Sequence, residues 1–185
     1  MCGSVVRFLA RFLRAIESVK LFGQLLGLTK PWMVERVEFD VAKRGVEVHV
    51  GHASGERFAC PECGQALAVY DHLGERVWRH LDSMQFMTYL HARPPRVSCP
   101  QHGVKQVRLP WAEVGSRFTH LFEALAIDVL RATNVKRAAE LLRITWDEAW
   151  HLMQQAVLRG RAAKGEALPS LLGVDEKAIA KGHRT

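Results

Sequence analysis

Two short runs constrain this sequence more than any other feature: Cys60-Pro61-Glu62-Cys63-Gly64 and Cys99-Pro100-Gln101-His102-Gly103. Each places two ligand-type side chains three positions apart and follows them with glycine. That spacing lets the backbone turn its amides toward two thiolates while glycine takes the tight conformation. Cys60, Cys63, Cys99 and His102 together complete a tetrahedral Zn2+ site with no position left for water or substrate, which argues for a structural metal. A structural zinc contributes on the order of 10 kcal/mol of apparent binding energy, comparable with the whole stability of a small domain. Buried free cysteines with a chance histidine are the plainer alternative. A redox Cys-x-x-Cys centre is another, but it leaves the second pair without a purpose. Cys2, the fourth cysteine, stands apart near the terminus.

The stretch between the two pairs must fold if they are to meet, and the residues before and between the pairs alternate as strands do. Val37, Phe39 and Val41 point one way and Glu38 and Asp40 the other. Lys43-Arg44-Gly45 supplies a turn, and Val46, Val48 and Val50 alternate again, which reads as a β-hairpin. Further strands are expected at Ala66–Tyr70, Arg76–His80, Gln85–His91 and Val104–Leu109. Ahead of them Gly23, Gly27 and Pro31 break a helical pattern in which Val5, Leu9, Phe12, Ile16 and Val19 form one stripe. Arg7, Arg11 and Arg14 lie largely away from that stripe. A surface helix packed on the rest of the protein fits this pattern; a self-associating helix and an interfacial basic helix remain alternatives.

Beyond the second pair the period becomes helical. Phe122, Leu125, Ala126, Val129 and Leu130 make a stripe behind a Thr119 cap. Lys136–Leu142 reads as a second helix with Asn134 at its start, and Ile144-Thr145 as a tight break. From Trp146 a third helix follows, opened by the capping-box pair Thr145 and Glu148. A helix-turn-helix is the expected arrangement. In the third helix Trp146, Trp150, Met153 and Val157 form the expected buried stripe. His151, Gln154, Gln155 and Arg159 fall on a polar side suited to base edges, since Gln pairs with adenine and Arg with guanine or phosphate. Lys136, Arg137 and Arg143 are placed to meet phosphates. Lys and Arg outnumber Asp and Glu 26 to 19, giving a net charge of +7 that favours a polyanionic partner. Arg159–Leu168 reads as a linker and Leu171–Asp175 as an opening strand. The expected domains are therefore an N-terminal amphipathic helix (1–33), a zinc-binding β-rich domain (34–112), a helix-turn-helix domain (113–160) and a last segment (161–185).

Runs without a formal charge, such as Leu21–Thr29 and Ser83–Ala92, fall short of the roughly 18–20 apolar residues that span a bilayer. No membrane partner is expected. No export signal is legible, so a cytoplasmic, reducing setting is the expectation, with nucleoid association when DNA-bound.

The knuckles, then Arg76-Val77-Trp78-Arg79-His80-Leu81-Asp82, Pro95-Arg96-Val97-Ser98-Cys99, Pro110-Trp111-Ala112 and Arg117-Phe118-Thr119, occur in an order that resembles bacterial insertion-sequence transposases of the ISL-three type. The resemblance covers nearly all of the chain from about Leu21. It implies an α+β chain: an N-terminal helix, a small β-rich zinc-binding domain, a helix-turn-helix domain and the first strand of a ribonuclease H-like DDE domain. Gly173-Val174-Asp175-Glu176 matches that strand, so the resemblance gives Asp175 the role of the first catalytic carboxylate. A complete DDE domain uses two Mg2+-type ions about 4 Å apart for phosphodiester cleavage and strand transfer. The sequence ends at Thr185, so the expectation is a truncated, catalytically incomplete transposase that recognises the terminal inverted repeats of double-stranded element ends. A homo-oligomer or a complex with full-length transposase is the expected protein partnership. The alternative function is a zinc-scaffold interaction protein that regulates full-length transposase by pairing with it.

Overall fold

The computed structural model describes residues 17–164. Cys2, most of the N-terminal stripe and the segment around Asp175 lie outside the described residues. The chain divides into two compact units, one reaching Ala132 and the other beginning at Thr133.

The first unit combines helix α1 (residues 17–25) with two four-stranded sheets and a helix. Sheet one runs in the order β1 (Trp32–Asp40), β2 (Gly45–His52), β6 (Phe86–Ala92), β5 (Arg76–Ser83). The β1–β2 hairpin forms as the alternation requires, with Arg44 left-handed at φ 50° and Lys43 N–H donating to Asp40 Oδ1 at 3.0 Å. β2 then pairs in parallel with β6, matching Val46 to Thr88, Val48 to Leu90 and Val50 to Ala92. That register stacks one buried row on another. β5 runs antiparallel to β6 and sets the buried Trp78 beside Leu90. Trp111 meets both Trp78 and Trp32 edge-on, at 5.8 and 4.9 Å between rings.

Sheet two runs β3 (Arg57–Ala59), β4 (Ala66–His72), β7 (Pro95–Cys99), β8 (Gly103–Gln106), antiparallel throughout. Its hydrophobic cluster is small, Phe58, Val97 and Val107 with Trp32, Leu67 and Val69 packed against it, and Pro95 of β7 is also buried. Trp32 also packs on the core of sheet one, so it joins the two clusters.

Helix α2 (His120–Ala132) is anchored at its start. Arg79 N–H donates to Arg117 carbonyl at 2.9 Å, and Thr119 N–H to Arg79 carbonyl at 3.0 Å, which continues β5 into the helix entry. Thr119 Oγ1 accepts the Phe122 amide at 3.3 Å, the expected cap, and pairs with His80 Nδ1 at 2.9 Å. Phe122 stacks on Phe118 and lies under the Arg79 guanidinium.

The second unit holds α3 (Val135–Leu142) and α4 (Trp146–Lys164). The two pack together and bury Ala138, Ala139, Leu142, Ala149 and Leu152. Among the described residues no helix is long and apolar enough to cross a membrane.

Several sequence expectations change. α1 continues through Gly23, and the break comes at Gly27, whose φ of +60° ends the helix. β3 and β7 are additional strands, and Val104–Leu109 shortens to β8. The residues given to a linker from Arg159 remain helical as far as Lys164. The sequence boundary at 112/113 and the division after Ala132 differ because α2 is tied to β5 through Arg79, Phe118 and Thr119.

Candidate metal centre and nucleic-acid interface

The two knuckles are the turns of two hairpins. Cys60–Gly64 joins β3 to β4, where Ala59 pairs with Ala66, and Cys99–Gly103 joins β7 to β8, where those two residues are partners. Gly64 and Gly103 stand at φ +75° and +69°, the left-handed region that a side chain disfavours; the space beside each is open. Cys60 N–H donates to Gln65 carbonyl and Gly64 N–H to Cys60 carbonyl, both at 2.9 Å, which closes the first turn. Two contacts that spacing could not disclose brace that turn against the strand beyond the second knuckle. Arg108 donates to Pro61 carbonyl at 2.9 Å, and Lys105 pairs with Glu62 at 3.5 Å.

β4 and β7 are neighbours, so the turns meet at one end of the sheet. The ligand atoms of Cys60, Cys63, Cys99 and His102 all lie within 4.8 Å of one another. Zinc held tetrahedrally at about 2.3 Å from sulfur and about 2.0 Å from nitrogen needs S···S spacings of about 3.8 Å and S···N spacings of about 3.5 Å. Cys63 Sγ to Cys99 Sγ is 3.7 Å, and Cys99 Sγ to His102 Nδ1 is 3.5 Å. Cys60 Sγ to His102 Nδ1 is slightly wider at 4.0 Å. These sulfurs are far beyond the roughly 2.05 Å of a disulfide. The hydrogen bond from His102 lowers the Cys99 thiol to about 6, against the opposing pull of burial, so the thiolate needed for metal binding is accessible near neutral pH. The donor set therefore fits a closed structural Zn2+.

In the second unit the sequence signals for helix ends are met by geometry. Asn134 Oδ1 accepts the Arg137 amide at 2.9 Å and caps α3. Arg143 ends that helix in the left-handed conformation at φ 56°, a position where glycine is usual. Thr145 and Glu148 form the reciprocal capping box: Glu148 Oε2 accepts the Thr145 amide at 2.9 Å, and Thr145 Oγ1 accepts the Glu148 amide at 3.2 Å. The result is two helices joined by a three-residue turn.

The buried stripe of α4 is not the expected one. Ala149 and Leu152 are buried, whereas Trp146 and Trp150 are 49% and 38% exposed and stack on each other at 5.3 Å. Val157 is also exposed. The small side chains Ala138 and Ala139 on α3 and Ala149 on α4 are buried instead. Of the residues expected at nucleic acid, Lys136, Arg137, Arg143, His151, Gln154 and Arg159 are exposed, and Gln155 is half-buried. Arg137 pairs with Glu140 at 3.0 Å, an exposed contact.

Comparison with known proteins agrees with this layout. The family model described as the zinc-finger of transposase IS204/IS1001/IS1096/IS1165 matches residues 56–102, which end on the fourth ligand. The helix-turn-helix domain of transposase family ISL3 matches residues 107–157. The transposase for insertion sequence element IS1557 of Mycobacterium tuberculosis is 30% identical over 91% of this chain and 39% of its own length. The transposase for IS1001 of Bordetella parapertussis is 25% identical over 86% of this chain and, again, 39% of its own length. No solved structure matches the chain. The chain thus spans about two fifths of the curated relatives it matches, and by its zinc-finger and helix-turn-helix domains it belongs to the ISL3 family of insertion-sequence transposases.

Proposed function

We propose that this chain is the DNA-binding portion of a DDE transposase and recognises the terminal inverted repeats of its element. The observation that carries this reading is the capped α3–turn–α4 pair inside the segment that matches the ISL3 helix-turn-helix domain. α4 is the element offered to the major groove, through His151, Gln154, Gln155 and Arg159. Lys136, Arg137 and Arg143 contact phosphates and fix the register. The relatives' printed name, transposase, and the net charge of +7 support the same polyanionic partner.

Asp175 corresponds by resemblance to the first carboxylate of a catalytic triad. The Mg2+ chemistry of strand cleavage needs two further carboxylates in a complete DDE domain. The 185-residue polypeptide alone is expected to bind without cutting, and metal-dependent nicking by the purified protein would contradict that.

The test is an affinity measurement at fixed salt, comparing a duplex carrying the element's own terminal repeat with a scrambled duplex of equal length. Preference for the repeat by tenfold or more is expected, with affinity falling steeply as salt rises because phosphate contacts release counterions. Lys136→Ala should weaken both duplexes alike and flatten the salt slope by about one unit, while Gln154→Ala should cut the preference itself. Equal affinity for the two duplexes would remove sequence recognition from the account.

A further inference from the structure

Sheet one carries a second set of metal-ligating side chains on the face opposite its apolar core. Parallel pairing of β2 with β6 places His49 directly beside His91. Because neighbouring residues alternate across a strand, both point away from the Val48–Leu90 row. Their rings stack 4.6 Å apart at 24°. Glu75, in the loop entering β5, brings Oε1 to 3.7 Å from His49 Nδ1 and 3.5 Å from His91 Nδ1. The three ligand atoms lie within 4.8 Å of one another, in an open cleft of about 410 Å³. The two histidine side chains are 14% and 18% exposed, so their rings are held in place; Glu75, at 54%, can adjust.

The tautomer of His91 is fixed from behind. Its Nε2 lies 2.6 Å from Glu47 Oε2, so the ring gives its N–H to that carboxylate and keeps the Nδ1 lone pair toward Glu75. Carboxylate support of this kind is the usual companion of a metal-bound histidine.

We propose that His49, His91 and Glu75 form a second site, for a first-row divalent transition-metal ion of the Zn2+ class, bound through the two Nδ1 atoms and a carboxylate oxygen. Two imidazoles with one carboxylate select such ions over Mg2+ or Ca2+. Three protein ligands leave a coordination position open, unlike the closed Cys60–Cys63–Cys99–His102 set. Glu47 acts as a positioning residue for His91. Arg36 sets the strength: its Nη2 stands 3.1 Å from His49 Nε2 and 3.3 Å from the ligand atom Nδ1, so it must swing away for a cation to bind, and its charge opposes one. Its Nε also pairs with Glu38 at 3.0 Å, which gives the guanidinium another place to rest. His52 and His72 line the same cleft as a separate stacked pair and are not members of the three-ligand set. The proposal is independent of DNA recognition.

The test is a Co2+ titration of the untagged full chain, purified with one zinc per molecule. A second equivalent is expected, with visible d–d absorption but none of the thiolate-to-metal charge transfer of cysteine-bound cobalt. His91→Ala and Glu75→Gln should each weaken that equivalent at least tenfold and leave the first zinc in place. His72→Ala should retain it, and Arg36→Gln should tighten it several-fold. Glu75→Gln is the decisive variant, because it changes one exposed atom group and leaves the fold's ring contacts intact. Absence of the second equivalent from the wild type would overturn the proposal. So would its persistence in Glu75→Gln and His91→Ala, or its loss in His72→Ala.

Discussion

The two sheets of the first unit are built from similar strands but are held together differently. Sheet one buries Val46, Val48, Trp78 and Leu90 almost completely, and α1 adds Phe22 to that cluster. At roughly 25 cal/mol per Å² of apolar surface removed from water, such side chains stabilise by about 1.5–3 kcal/mol each, enough to hold a sheet. Sheet two has a small buried cluster, Phe58, Val97 and Val107 with Pro95 also buried, and a row of half-exposed residues. Arg96 of β7 forks onto Asp71 of β4 and keeps that carboxyl below its ordinary range, but the pair is partly exposed and adds little. What remains to order its hairpins is the metal at their turns. Sheet two spends its sequence on ligands where sheet one spends it on core, and Trp32 couples the two.

The largest effect should therefore come from the metal. Removing zinc, or replacing Cys99 with Ser, withdraws apparent binding energy on the order of 10 kcal/mol. Hydrogen exchange should show β7 and β8 losing protection well before β2 and β6; simultaneous loss in both sheets would mean that they do not differ. Leu90→Ala works on the other side of the comparison. It should cost about 2–5 kcal/mol in a denaturant melt, through lost burial and the cavity left behind, while the zinc content stays unchanged.

A third test uses pH. Burial, then the neighbouring Arg79 charge, push His80 from 6.5 down to about 4. The unfolded chain takes up that proton near pH 6.5 and the folded chain only near 4. Stability from this group is complete above 6.5 and declines as the pH falls toward 4, by about 3 kcal/mol in all. His80→Gln should flatten that part of the profile in zinc-saturated protein; an unchanged slope would assign the acid sensitivity elsewhere. The smallest effect belongs to the second unit, where Thr145→Ala removes the reciprocal cap of α4 and should cost about 1 kcal/mol. Helical circular dichroism would register that loss, with both sheets unaffected.

These contrasts also explain what the sequence disclosed. The knuckles, the β1–β2 hairpin and the Thr145–Glu148 box are local: a few adjacent residues determine each, and each formed as its spacing implies. β3 has only three residues, and β7 opens on the second of two prolines, which masks the alternation of Pro95, Val97 and Cys99 with Arg96 and Ser98. The parallel union of β2 with β6 brings together residues far apart in sequence, and the histidine cluster exists only because of it. On α4 the tryptophan spacing is truly helical, yet periodicity reports a face and not its partner. Ala138 and Ala139 of α3 and Ala149 of α4 are buried, and the larger rings stay outside.

The most direct test is X-ray absorption at the zinc edge of protein carrying a single metal ion. Three sulfur neighbours at about 2.3 Å and one nitrogen at about 2.0 Å are predicted for the closed site. A different donor set, or metal-free protein in which β7 and β8 keep full protection, would contradict the account.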